Sequence, residues 1–77
     1  MKDMKETFLN VMKNILDIHE EIDIEKTIEE MGINSISIIQ IIVSIEEEFN
    51  IEFPDEMLVF NGSMRINQII QNFERLL

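Results

Sequence analysis

Seven branched aliphatic residues, Ile36, Ile38, Ile39, Ile41, Ile42, Val43 and Ile45, fall within ten consecutive positions. By side-chain preference such a run suits a strand, because β-branched residues are stiff at χ1 and fit a pleated surface. Its periodicity argues for a helix. At about 100° per residue, with Ile36 at zero, Ile41, Ile45, Ile38, Phe49 and Ile42 lie between about 140° and 240°, the width of one core-facing stripe. Ile39, Val43 and Ile36 lie between about 300° and 0°, away from that stripe. The split, and its continuation into Glu46-Glu47-Glu48, predicts a helix over residues 35–49. Its outer side carries an apolar row edged by Glu46 and Glu47. That row either packs beneath a neighbouring loop or meets a partner, with apolar contact supplying affinity and charge supplying steering.

The rest of the chain reads as further helices. Met4, Phe8, Val11, Met12 and Ile15 stand at helical spacing, with Lys5, Glu6, Asn10, Lys13 and Asn14 mostly opposite, which predicts a helix over about 2–16. Residues 17–34 break the pattern and are acidic, with Ile18, Ile22 and Ile24 as isolated anchors. Within them, Thr27-Ile28-Glu29-Glu30 fits a capping box and Gly32 a helix stop, so a single helical turn is expected there. Pro54 suits the first position of a short helix reaching Phe60, with Asp55 and Glu56 near its positive end. Asn61-Gly62 is a turn signal. Ile66, Ile69, Ile70, Phe73 and Leu77 form one apolar stripe on a last helix over about 64–77. The expected fold is all-α, a four-helix bundle with three longer helices, one short helix and a long connection between the first and second long helices.

Charge and size narrow the function. Seventy-seven residues suffice for one domain, spanning 1–77, with no room for a second lobe. Sixteen Asp and Glu against six Lys and Arg give a net charge of -10. That works against nucleic-acid binding, which draws on basic side chains to displace counterions, and favours a partner with a basic surface. The start lacks the apolar region of a secretory signal, and no window approaches the roughly 18 apolar residues that span a bilayer. With no cysteine there is neither disulfide nor thiolate site, so a soluble monomer in a reducing cytoplasm is expected.

No catalytic or metal-binding constellation emerges. His19, the single histidine, sits in the acidic connection and reads as a solvated loop residue. The acidic residues do not alternate around a central glycine as a Ca²⁺ loop requires. Glu46, Glu47 and Glu48 project in different directions around a helix, so they make no paired carboxylates. Ser35 has no His or Lys near it in sequence to activate it as a nucleophile. It opens the second long helix, where a hydroxyl serves either as a cap or as a carrier of a phosphodiester, since free amides and the helix dipole favour an anion there. A capping box from Asn34 or Ser35 would want Glu or Gln at Ser37 or Ile38, and neither fits.

Met31-Gly32-Ile33-Asn34-Ser35-Ile36, then Ile39, Ile42, Ile45-Glu46-Glu47-Glu48-Phe49 and Ile51-Glu52-Phe53-Pro54-Asp55-Glu56, resemble the acyl carrier proteins and related phosphopantetheine-binding carrier domains. The detailed match covers about a third of the chain, and the order and length of the helices agree over the rest. The resemblance implies a carrier, not an enzyme. Ser35 would receive 4′-phosphopantetheine from coenzyme A through a phosphopantetheinyl transferase, and the arm would hold an acyl group as a thioester. Loading and synthase enzymes with basic surfaces would dock on Ile36, Ile39, Val43, Glu46 and Glu47. A growing apolar chain would slip into the bundle near Ile42, Ile45 and Ile69.

Departures from the family pattern point to a specialised role. Asn34 stands where fatty-acid carriers usually show Asp, and Ser37 and Gln40 replace acidic residues common in the first turns of that helix. The connection through Asn61-Gly62-Ser63 is also longer than usual. These features favour a stand-alone carrier of a fatty-acid-like, polyketide or other dedicated biosynthetic pathway over the housekeeping carrier of fatty-acid synthesis. The aminoacyl or peptidyl carrier of a nonribosomal peptide pathway is the near alternative. An unmodified helical adaptor using the same outer row is the alternative of a different class.

Overall fold

A computed structural model of the chain describes residues 3–52 and 63–77. Four helices lie in the described residues: α1 (Met4–Leu16), α2 (Ile28–Met31), α3 (Ser35–Phe49) and α4 (Ile66–Glu74). Three are long and α2 is one turn, so the chain is all-α, as its periodicity predicts. The expected helix over 54–60 and the Asn61-Gly62 turn lie outside the described residues.

Each helix starts and stops for a local reason. Asp3 caps α1 by accepting from the Lys5 amide at 3.0 Å, and Glu6 adds negative charge to the positive end. Asp17 and Asn50 end α1 and α3 in the left-handed region, at φ 55° and 52°. Asn and Asp enter that region more readily than other side chains. Thr27 and Glu30 close the expected capping box: the Glu30 amide donates to Thr27 Oγ1 at 3.1 Å, and the Thr27 amide to Glu30 Oε1 at 3.0 Å. Those bonds, the Thr27 amide first, hold the Glu30 carboxyl below its ordinary pKa, with smaller help from the nearby Lys26 and Arg65 charges.

The core forms where three apolar stripes meet. α1 supplies Met4, Phe8 and Met12, α3 supplies Ile38, Ile41, Ile42 and Ile45, and α4 supplies Ile66, Ile69, Ile70 and Phe73. α1 packs against both α3 and α4, with the Phe8 and Phe73 rings 5.8 Å apart and tilted by 54°. Offset and tilted aromatic pairs of this kind add to what area burial alone provides. No side-chain polar or charged residue is buried among the described residues.

Residues 17–34 are tied down by more than their anchors. Ile22, Ile28 and Ile33 are buried, and Ile18 and Ile24 are half-buried against the core. Thr27 and Arg65 form an isolated antiparallel bridge. It is flanked by bonds from the Ile28 amide to the Met64 carbonyl at 2.9 Å and from the Ile66 amide to the Lys26 carbonyl at 3.0 Å. This pairing corrects the expected start of the last helix. Arg65 is extended, at φ -81° and ψ 151°, because its backbone is committed to Thr27, so α4 begins at Ile66 and not at Met64. At the far end the Leu76 and Leu77 amides bond three residues back, to the Phe73 and Glu74 carbonyls, and the α-helical pattern stops at Glu74.

Candidate functional site

Ser35 is the first residue of α3, and the structure separates it from cap duty. Asn34 is the N-cap, at φ -86° and ψ 168°, and its Oδ1 accepts from the Ser37 amide at 2.8 Å. The Asn34 carbonyl accepts from the Ile38 amide at 3.1 Å. The Ser35 side chain is left exposed at the helix start, beside the amides of Ser35 and Ile36, which have no acceptor within the helix. An exposed hydroxyl under two outward amides and the positive end of a helix dipole suits a phosphodiester. This is the fit between the residues present and a phosphopantetheine arm.

The approach to Ser35 is rigid by construction. α2 ends in a Schellman arrangement: the Gly32 amide bonds to the Glu29 carbonyl at 3.1 Å and the Ile33 amide to the Ile28 carbonyl at 3.2 Å. Gly32 takes φ 69°, the left-handed conformation this cap requires. The side chains of Ile28 and Ile33, which this motif brings together, are both buried. Two residues later the chain reaches Ser35 from an anchored base.

Downstream of Ser35, α3 is divided by exposure as by angle. Ile38, Ile41, Ile42 and Ile45 face the core, while Ile36, Ile39 and Val43 are 69%, 56% and 44% exposed. The outer isoleucines therefore do not pack beneath residues 17–34. Glu46 is half-buried and Glu47 exposed at the far end of the same side. No ionisable residue occurs between Glu30 and Glu46, so the first three turns of α3 carry no charged side chain. Ile42, Ile45 and Ile69, the interior positions expected near an acyl chain, are at most 1% exposed.

Two features were not evident in the sequence. One is the division of labour between Asn34 and Ser35, because both residue types cap helices well. The other is a shallow concavity of about 530 Å³ between α1 and α3, lined by Ile15, Ile39, Gln40, Val43, Ser44 and Glu47. Ile15 sits at the edge of the α1 stripe and is half-buried, which places it at the rim instead of in the core. His19 lies 3.0 Å from Asp17, both well exposed, and no group of three or more His, Cys, Asp or Glu among the described residues is placed to hold a metal.

The comparisons with known proteins agree on one theme. The family model described as a phosphopantetheine attachment site matches residues 6–73. An acyl carrier protein of Wolinella succinogenes is 34% identical to this chain over 55 residues, which span 70% of the chain and 68% of the relative. No solved structure matches the chain.

Proposed function

The chain belongs to the acyl carrier protein family of phosphopantetheine-binding carriers, and from that membership we propose that Ser35 is the residue that takes the 4′-phosphopantetheine arm. The observation that carries this assignment is the cap geometry: Asn34 holds the Ser37 amide, which leaves the Ser35 hydroxyl exposed at the start of α3. In the loading step, Ser35 Oγ attacks the coenzyme A phosphorus that bears pantetheine. The new Oγ–P bond replaces the pyrophosphate P–O bond, adenosine 3′,5′-bisphosphate leaves, and the hydroxyl proton passes to a base on the transferase. The arm supplies a terminal thiol that holds an acyl group as a thioester. The protein is a carrier and not a catalyst, and its own lack of cysteine leaves no competing thiol.

The outer side of α3 is the proposed reading surface for the transferase and for acyl-loading and synthase enzymes. Ile36, Ile39 and Val43 supply apolar contact, and Glu46 and Glu47 meet basic groups. The neutral first turns, Asn34 through Gln40, support a dedicated acyl pathway over general fatty-acid synthesis, because a partner tuned to carboxylates in the first turns of α3 would find none there. We place the protein in such a pathway as a single-domain monomeric carrier in the cytoplasm.

Intact mass after incubation with coenzyme A and a phosphopantetheinyl transferase tests the attachment point. The protein gains the mass of the arm, Ser35→Ala gains nothing, and Ser37→Ala, which removes the neighbouring hydroxyl, gains as the unaltered chain does. A gain that persists in Ser35→Ala would move the attachment elsewhere.

A further inference from the structure

We propose that the shallow concavity between α1 and α3 seats an apolar side chain of the partner enzyme, with a basic group of that enzyme against Glu47 at its far end; the proposal rests on Ser35 as the attachment point and on the outer side of α3 as the reading surface. It extends that surface onto α1 through Ile15. The partner it fits is an enzyme whose docking patch is apolar near the arm and basic only at its edge.

The lining sets what fits. Ile15 from α1 joins Ile39 and Val43 from α3, Gln40 and Ser44 are neutral, and Glu47 brings the one carboxylate. A cation set over Ile39 and Val43 would shed water and find no counter-charge beneath it, which costs more than leaving a neutral group unpaired. An apolar side chain instead gains contact with both helices. At about 530 Å³ the space is ample for a large side chain, but a shallow depression does not cover most of a free small molecule as ligand sites do. A side chain held in place by the rest of an interface is therefore the fitting occupant, and buried aromatic anchors of this kind carry much of the energy of protein interfaces.

Charge fixes the direction in which such a partner lies. Ser35, Ile39, Val43 and Glu47 stand at successive intervals of four residues and so form one ridge of α3. Ile39 is about 6 Å and Glu47 about 18 Å along the helix axis from Ser35. A partner whose basic group meets Glu47 thus lays its apolar side chain over Ile39 and Val43 and brings its active site to the Ser35 end. An enzyme with basic groups spread along the whole contact would leave some of them over the aliphatic stretch, and this penalty selects against it.

The probe is the phosphopantetheinyl transferase that adds the arm. The full chain is titrated with it in the absence of coenzyme A while ¹³C-labelled Ile and Val methyl signals are followed, and the Ile15, Ile39 and Val43 methyls shift together. Loading kinetics, read by intact mass, then report the chemistry of the contact. In Gln40→Glu, at an exposed position, KM for the carrier rises about tenfold with kcat unchanged, because a carboxylate now lies against the apolar side chain. In Glu47→Gln, KM rises several-fold at low salt, and the difference vanishes near 1 M NaCl, where the screening length is about 3 Å. Ile15 methyls that stay still while those of Ile39 shift would confine docking to α3 and overturn the concavity as a seat. An unchanged or lower KM in Gln40→Glu would overturn the apolar occupant, and an unchanged KM in Glu47→Gln the placement of the basic group. A mass gain that persists in Ser35→Ala would instead overturn Ser35 as the attachment point, and the proposed seat with it.

Discussion

Gly32 and Asn34 both position Ser35, and they do so by different physics. Gly32 holds φ 69° to close α2, and a Cβ built there meets nothing within 4 Å. Gly32→Ala therefore carries only the backbone cost of a left-handed conformation, about 1–2 kcal/mol, readable as a lower urea midpoint with an unchanged slope. A neutral result would mean that the α2 cap opens without consequence. Asn34 contributes a side-chain acceptor, and Asn34→Ala removes it at a cost of about 0.5–2 kcal/mol. Asn34→Asp keeps the acceptor and adds a charge at the positive end of α3, so its stability equals or exceeds that of the unaltered chain. The pair of variants separates cap from charge: loading of Ser35 slows in Asn34→Ala if the cap orients the serine, and Asn34→Asp reports only what the transferase makes of a carboxylate beside it. Equal stability of Asn34→Ala and the unaltered chain, by chemical denaturation, would show that the Asn34 side chain adds nothing to the start of α3.

Among the elements, the long helices were legible in the sequence and the joints between them were not. Met4, Phe8 and Met12, or Ile38, Ile41, Ile42 and Ile45, announce a helix because their spacing matches 3.6 residues per turn, and the structure buries those residues. α2 was legible for another reason, a local reciprocal cap between Thr27 and Glu30 with glycine behind it. The start of α4 was hidden because Arg65 pairs with Thr27 across the fold, a contact that no local window of sequence contains. The exposed aliphatic row of α3 was legible as an angle, but Ile15 as the opposite wall of a groove depends on how α1 lies against α3. The Thr27–Glu30 box also makes a prediction about acid. Its bonds favour ionised Glu30 and lower its pKa from the ordinary 4.5, so the stability they add is complete above that value. It is lost as pH falls through the lower folded value. In Glu30→Gln, which keeps an acceptor for the Thr27 amide but cannot ionise, the deficit relative to the unaltered chain is constant above about pH 5 and shrinks on acidification below 4.5. Denaturant midpoints at several pH values measure this, and a deficit that grows in acid would contradict the sign of the shift.

On the scale of the whole molecule, net charge of -10 is confined to a body of 28 × 27 × 20 Å. At 10 mM salt the screening length is about 30 Å, so every carboxylate feels every other, whereas at 0.15 M it is about 8 Å and only near neighbours interact. Self-repulsion acts against the compact state, and the melting temperature therefore rises between those two conditions at neutral pH. For a domain of this size each 1 kcal/mol of relieved repulsion raises the midpoint by about 4–8 °C. The acidic residues suggest a second route, specific binding of Mg²⁺, and the two routes differ in a measurable way. Screening acts without any ion held at a fixed place. NaCl and MgCl₂ at matched ionic strength then raise the melting temperature by similar amounts. A saturable rise at low millimolar Mg²⁺ in a background of 0.15 M NaCl would show that the acidic surface captures the ion. A midpoint insensitive to both salts would show that the charge is spread too thinly to matter, and with it would go the expectation that basic partners find this carrier through its overall field.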